Sequence, residues 1–309
     1  MRRRAVVLAP LALLAACAPD AGAELRIAAG VPGGVYDVLG RALGAAAGRS
    51  LGVRTRVVSS SGALENLSLV RGSRADVGFV TVDVASLAPG AQTSPGNDAA
   101  TRVMALARVY DDCLQVVVDG RSRVRELSDL REALVATGPS GSGTELLAMR
   151  VLTMAGVTVR QVAMGLAEAV RALESGRVEA FFFSGGLPTP AISSLAARRP
   201  IRLISLGSLI ERLCREYRTV YKPRTIGMSA YRLPEVTATV AVPNLLLVAA
   251  DMSSGEAEAL TRVLLDNRAE LARANSAALQ LNHQSAILTM PVPLHPGAEA
   301  YYRSAKIGL

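Results

Sequence analysis

The sequence predicts an α/β protein of two lobes that face one ligand cleft. Short apolar runs of strand length alternate with stretches of helical periodicity along most of the 309 residues. A Gly- or Ser-rich loop recurs wherever a strand gives way to a helix. These loops form two sets, one before Val103 and one after Leu134, and in open α/β sheets ligands bind outside the carboxyl ends of strands. With 50% of its residues hydrophobic, the chain can fill two separate cores.

The first strand, Leu25 to Ala29, runs into Gly30-Val31-Pro32-Gly33-Gly34 and a helix that opens near Val35. Glycines let backbone N–H groups approach a bound group at the positive end of that helix, which suits a carboxylate or phosphate. An ordinary strand-ending turn has the same composition. The spacing Gly30, Gly33, Gly34 is not the dinucleotide fingerprint, and no Gly-Lys-Ser follows. Val53 to Val58 is a second strand, ended by Ser59-Ser60-Ser61-Gly62 before a helix over Ala63 to Arg71. Glu65 and Asn66 lie in its first turn, where Glu65 can complete a capping box. Asp76 to Val82 is the third strand, ending near Thr81, and Pro89 to Asn97 is a polar loop.

Val103 to Val109 and Leu114 to Val118 are expected as two strands joined through Tyr110-Asp111-Asp112. A helix over Val124 to Leu134 with Ser128 as its cap comes next, then a strand, Leu134 to Thr137, leading into Gly138-Pro-Ser-Gly-Ser-Gly-Thr-Glu145. Its helix, Thr144 to Ala155, places Leu146, Leu147, Met149, Val151 and Leu152 at core spacing. Ala167 to Gly176 and Ile192 to Arg198 are further helices; Ala180 to Phe183 and Ile201 to Ser205 are strands, the former ending in Ser184-Gly185-Gly186. Tyr110 and Phe181 to Phe183 are assigned to the core, Arg198 and Arg199 to solvent, and Glu256 to Asn282 to an amphipathic helical cover.

Arg2, Arg3 and Arg4 precede the apolar run Ala5 to Ala16, which has the shape of a secretory signal. The run ends Leu14-Ala15-Ala16-Cys17, like a bacterial lipobox, so residues 1–16 are expected as a signal, Cys17 as the lipidated residue and 17–23 as a tether. Ordinary signal cleavage after small residues is the alternative. Val236 to Ala250 is the most apolar later stretch, and Pro243 and Asn244 interrupt it as a membrane helix. The formal charge of +8 falls to about +5 once the three arginines leave (8 − 3 = 5). Basic residues are scattered and Trp is absent, so nothing points to nucleic acid. Cys113 and Cys214 permit a disulfide in an oxidising compartment. The cysteines, with His283 and His295, show no metal-ligand spacing, so neither metal nor cofactor is expected.

Gly33 to Tyr36, Ser61 to Leu67 (Ser-Gly-Ala-Leu-Glu-Asn-Leu), Ala75 to Val80, Gly138 to Glu145, Pro243 with its apolar flank, and Pro293 to Tyr302 occur together and in order. In these, over essentially all of Glu24 to Leu309, the chain resembles the TAXI family, the extracytoplasmic solute-binding proteins of tripartite ATP-independent periplasmic (TRAP) transporters. The resemblance implies a type II periplasmic-binding-protein fold, closing over a small acidic metabolite such as glutamate or 2-oxoglutarate that a membrane permease then receives. Three departures stand out: hydroxyl residues usual in the first loop are replaced by Val31 and Pro32, Asp37 stands where a second aromatic is common and adds a carboxylate near the expected pocket, and Thr225 to Tyr231 lacks the proline and glycine expected before the tyrosine.

On this basis lobe one comprises 24–112 with 245–309, and lobe two 113–244. Lobe one is expected to present Gly33, Gly34, Val35, Tyr36, Ser60, Ser61, Asn66 and Thr81 to the ligand. Lobe two is expected to present Ser140, Gly141, Ser142, Gly143, Thr144, Ser184, Gly185 and Gly186. No arginine falls in these loops, so backbone N–H groups, hydroxyls and helix N-termini would hold a ligand carboxylate. Two other classes remain: a binding lobe for a membrane sensor, and an exported hydrolase with Ser142 or Ser184 as nucleophile, for which no G-x-S-x-G elbow is present.

Overall fold

A computed structural model describes residues 24–87, 103–217 and 220–306. The expected signal, the lipidated Cys17, its tether and the Pro89 to Asn97 loop lie outside these residues. Ten strands form one sheet: β1 (Glu24–Ala28), β2 (Arg54–Val58), β3 (Val77–Thr81), β4 (Val103–Asp119), β5 (Leu134–Ala136), β6 (Arg160–Val162), β7 (Ala180–Gly185), β8 (Ile201–Leu203), β9 (Lys222–Ile226) and β10 (Thr237–Ala249). The order is β2-β1-β3-β10-β4-β7-β5-β6, with β8 added to β4 and β9 to β10.

The two long strands organise the molecule. β10 pairs antiparallel with β3 through Asn244 to Val248 and with β9 through Thr237 to Ala241. β4 pairs with β10 from Val103 to Cys113, then with β7 from Cys113 to Val118. Each therefore runs from one parallel set, β1 to β3, into the other, β5 to β7. The two strands expected to break at Tyr110-Asp111-Asp112 are thus one continuous strand. Those residues have turn composition, but burial and ion pairing hold them extended: Asp111 meets Arg108 at 2.6 Å and Arg224 at 2.9 Å. A bulge sets Val109 and Arg108 against Leu245, one step from Tyr110.

Helix α1 (Val35–Leu51) buries Leu39, Leu43, Ala46 and Ala47 on one face and ends at left-handed Gly52. It lies very close to the sheet at Gly40, where a Cβ would stand 2.8 Å from that of Ala29. Helix α2 (Ala63–Arg71) follows β2, and α3 (Val82–Ala85) follows β3. In the other lobe α4 (Gly143–Ala155) is capped by Ser142, whose Oγ accepts from the Glu145 N–H, and α5 (Leu166–Glu174), α6 (Pro190–Arg198) and α7 (Leu209–Glu216) complete the layers. The helix expected over Val124 to Leu134 shrinks to a 3-10 turn, Leu127–Leu130, capped by Glu126 and Asp129, not Ser128.

The C-terminal cover is several pieces: α8 (Ser254–Asp266), α9 (Arg268–Ala274), a 3-10 turn (Ser276–Gln280), α10 (His283–Ala286) and α11 (Pro296–Ser304). Asn267 and Asn275 interrupt the helical run, and the Asn275 side chain accepts from the Ala277 N–H instead. These pieces and α1 enclose one buried cluster around Phe79, Leu246 and Tyr302; another, around Phe181, Ile192 and Leu195, fills the second lobe. Cys113, buried on β4, and Cys214, half-buried on α7, are both free, so the permitted disulfide is not formed. They belong to different core clusters, which keeps the thiols apart.

Candidate functional site

The glycine and serine loops of both lobes converge on a cavity of 130 Å³. An apolar cavity of about 150 Å³ holds benzene, so this space suits a ligand of roughly that size. Helices α1, α2, α4 and α5 all begin at its wall, and Val35, Ala63, Gly143 and Leu166 line it. First-turn N–H groups have no acceptor within their own helix, so these amides are donors available to a ligand.

Three of the four loops share one brace. Gly33 N–H donates to Asp37 at 3.0 Å, Ser61 N–H to Glu65 at 2.7 Å, and Gly141 N–H to Glu145 at 2.7 Å. In each, a carboxylate one turn into the helix reaches back four residues and fixes the loop. Burial works to raise Asp37, but Arg41 and the Gly33 N–H outweigh it, and its carboxyl lies below the usual range. Glu65 is held low chiefly by the Ser61 N–H. Asp37 is therefore a loop brace, and Gly141, at φ +73°, takes the left-handed turn the third loop requires.

β3, β4, β7 and α1 supply the side chains. The Tyr36 hydroxyl donates to Asn244 Oδ1, and its ring stacks on Phe79 at 5.6 Å and meets Tyr110 edge-on at 6.4 Å. Burial, then the nearby Asp112, pushes the Tyr36 hydroxyl well above its ordinary value, so it remains protonated. Tyr110 and Asp112, two apart on β4, both line the cavity, as strand alternation demands. Asp112 is 5% exposed. Its carboxyl is pushed up to about 7 by burial, with Asp83 and Asp111 adding to the effect and Asn244 and Tyr110 offsetting part of it.

Of the six buried side-chain polar atoms without a hydrogen bond among the described residues, three belong to lining residues: Thr81 Oγ1, Asp112 Oδ1 and Ser184 Oγ. The Thr81 hydroxyl stands near Asp83, and the Asn244 amide near Asp112, without reaching hydrogen-bond geometry. Such a concentration of unsatisfied groups in one place marks a site for a polar ligand.

The lobes touch around the cavity. A Cβ on Gly143 would lie 3.1 Å from Thr81 Oγ1 and 3.6 Å from the Ala63 Cβ. Beside this contact, Tyr221 donates to Asp83 at 2.9 Å and receives Arg150 Nη1 at 2.6 Å, with Arg150 also over the Tyr217 ring at 4.3 Å. This buried chain joins α3 of one lobe to α4 and the start of β9 in the other.

Among the residues expected at the ligand, Gly34, Val35, Tyr36, Ser61 and Thr81 line the cavity from the first lobe, and Ser142, Gly143, Thr144, Ser184 and Gly185 from the second. Six others do not: Gly33, Ser60, Asn66, Ser140, Gly141 and Gly186. Ser60 and Asn66 turn inward, bonding each other at 2.5 Å, while the Asn66 amide holds the Phe79 carbonyl at 2.8 Å. Asp112 was missed because Tyr-Asp-Asp reads as a turn, and Tyr110, Phe182 and Phe183, assigned to the core, reach the cavity. Arg199, assigned to solvent, pairs with Asp119.

Among the described residues no base bonds the hydroxyl of Ser142 or Ser184, as the hydrolase alternative requires. Ser142 Oγ caps α4, His283 stacks on Tyr301, and His295 is buried as the cap of α11. A larger cavity of 500 Å³ lies away from the loops, between the N-terminal end of β1 and α8. None of its lining side chains carries an unpaired buried polar atom, so the smaller cavity is the candidate site. Among the described residues no helix is long and apolar enough to cross a membrane, and no acidic, His or Cys group has the arrangement of a metal site.

Solved structures of similar fold include the periplasmic binding protein BugD, 15% identical over 92% of this chain and 93% of that one, with a TM-score of 0.51. XAC2383 from Xanthomonas citri bound to ATP is 14% identical over 91% and 94%, with a TM-score of 0.50. A periplasmic transporter is 16% identical over 92% of both chains, with a TM-score of 0.51. At such identities the likeness shows the fold alone, that of periplasmic binding proteins. The sequence itself matches the NMT1-like family over residues 27–305, nearly every residue of the sheet and its loops, and the chain therefore belongs to the NMT1-like family.

Proposed function

We propose that the protein is an exported, lipid-anchored solute-binding protein that captures a small carboxylate-bearing metabolite and delivers it to a TRAP-type membrane permease. One observation carries the capture: four helix N-termini and three unsatisfied polar side chains converge, from two lobes, on one small cavity. The free first-turn amides favour a carboxylate there. The lobes, 24–112 with 245–309 and 113–244, would move about β4 and β10 where these cross between them. Ligand contacts from both sides stabilise the closed form, which is the form a permease can recognise. The glutamate and 2-oxoglutarate class, the TRAP partner and lipidation at Cys17 rest on the sequence resemblance.

A thermal-shift screen of the purified protein against amino acids, oxo acids and dicarboxylates tests capture. A ligand at about 100 times its dissociation constant adds roughly 2.7 kcal/mol of stability. Altering Thr81 and Ser184 together should abolish the shift, whereas a shift that survives this change places the ligand elsewhere.

A further inference from the structure

We infer that Asp112 is a specificity-determining residue that receives a protonated nitrogen of the ligand, so that the site prefers an amino acid to the matching oxo acid; this rests on the solute-capture reading above. The four buried acids of the described residues differ in one respect. Asp37 has Arg41 at 2.9 Å, Asp83 has Arg150 at 3.9 Å with the Tyr221 hydroxyl, and Asp111 has two arginines. Asp112 has no cation. It is also the one of the four that lines the cavity.

Among the described residues no Arg, Lys or His lines that cavity either. A buried carboxylate without a counter-ion is costly to the fold, and a buried unpaired oxygen calls for a donor. The backbone cannot supply one, because Asp112 pairs with Val242 of β10 and the Asp111 N–H donates to Gln280 at 3.1 Å, and the neighbouring Asn244 amide and Tyr110 hydroxyl offset part of the burial without bonding this oxygen. The ligand can. The first-turn amides of Val35, Ala63, Gly143 and Leu166, which line the same cavity, offer donors to a carboxylate. One acceptor carboxylate and a set of N–H donors in one cavity are the complement of a small zwitterion. A diacid lacking nitrogen would bring its second negative charge towards Asp112.

Calorimetric titration of the full-length chain in detergent, using matched pairs, tests this: glutamate with 2-oxoglutarate, alanine with pyruvate, leucine with 4-methyl-2-oxopentanoate. Wild type should bind at least one amino acid about 10- to 100-fold more tightly than its oxo partner, the range of a charge-assisted hydrogen bond. Asp112→Asn should erase that preference and Asp112→Glu should keep part of it. Melting of unliganded Asp112→Asn checks that the variant folds. An oxo acid bound as tightly as its amino acid, or a preference unchanged in Asp112→Asn, overturns the role of Asp112 while leaving solute capture intact. No binding by any member of the three pairs overturns both.

Discussion

Replacing Asp112 by Asn should stabilise the unliganded protein at neutral pH, and the gain should depend on pH in a calculable way. The Asp112 carboxyl is pushed from 3.8 up to about 7 in the folded chain. At 1.36 kcal/mol for each tenfold change in proton affinity, that displacement corresponds to about 4 kcal/mol. Below the unfolded value both states are protonated and Asp112 has no effect. Between about pH 4 and 7 the unfolded chain loses its proton while the folded one keeps it, so stability falls as pH rises. Above 7 the loss is complete. Urea denaturation of wild type and Asp112→Asn from pH 4 to 8 should therefore give curves that coincide near pH 4 and separate by up to about 4 kcal/mol at pH 8. The destabilised site is what a binding residue is expected to cost the fold. A difference independent of pH, or a variant less stable than wild type at pH 8, would refute the assignment of Asp112 as a buried, uncompensated acid.

Other changes probe the rest of the site. Gly143→Ala places a methyl 3.1 Å from Thr81 Oγ1 across the lobes, yet Ala is the better helix former by up to about 1 kcal/mol. Ligand affinity should fall by roughly tenfold with no loss of unliganded stability, and unchanged affinity would show that the contact does not limit closure. Tyr221→Phe removes the hydroxyl between Asp83 and Arg150, and should cost about 1–3 kcal/mol in denaturant titrations, with a larger radius of gyration in X-ray scattering if the lobes part. Cys113, its thiol pushed up to about 12 by burial and then Asp112, should resist alkylation at pH 8 until the chain unfolds, while Cys214 reacts first. Non-reducing mass spectrometry that finds the two cysteines joined would contradict the free thiols. Gly40→Ala should cost about 1–3 kcal/mol, because its methyl would meet the Ala29 side chain at 2.8 Å.

The alternation of strands and helices, and the limits of many of them, were legible in the sequence, because periodicity, caps and glycines are local. The helix expected over Ala63 to Arg71 has those limits in the structure. The sequence also located the loops that build the cavity, since a Gly/Ser run at a strand's carboxyl end is visible without knowing what faces it. What it could not show is which way side chains in those loops turn: Ser60 and Asn66 bond inward, while Ser61 faces the cavity. That Tyr110-Asp111-Asp112 stays extended depends on tertiary contacts, because the partners that hold it are distant: Arg224, 113 residues along the chain from Asp111, and β10 beside it. The same distance hid Asp112. A carboxylate becomes a ligand-seeking group only when everything packed around it leaves its charge unanswered, and that is a property of the assembled interior, not of any stretch of sequence.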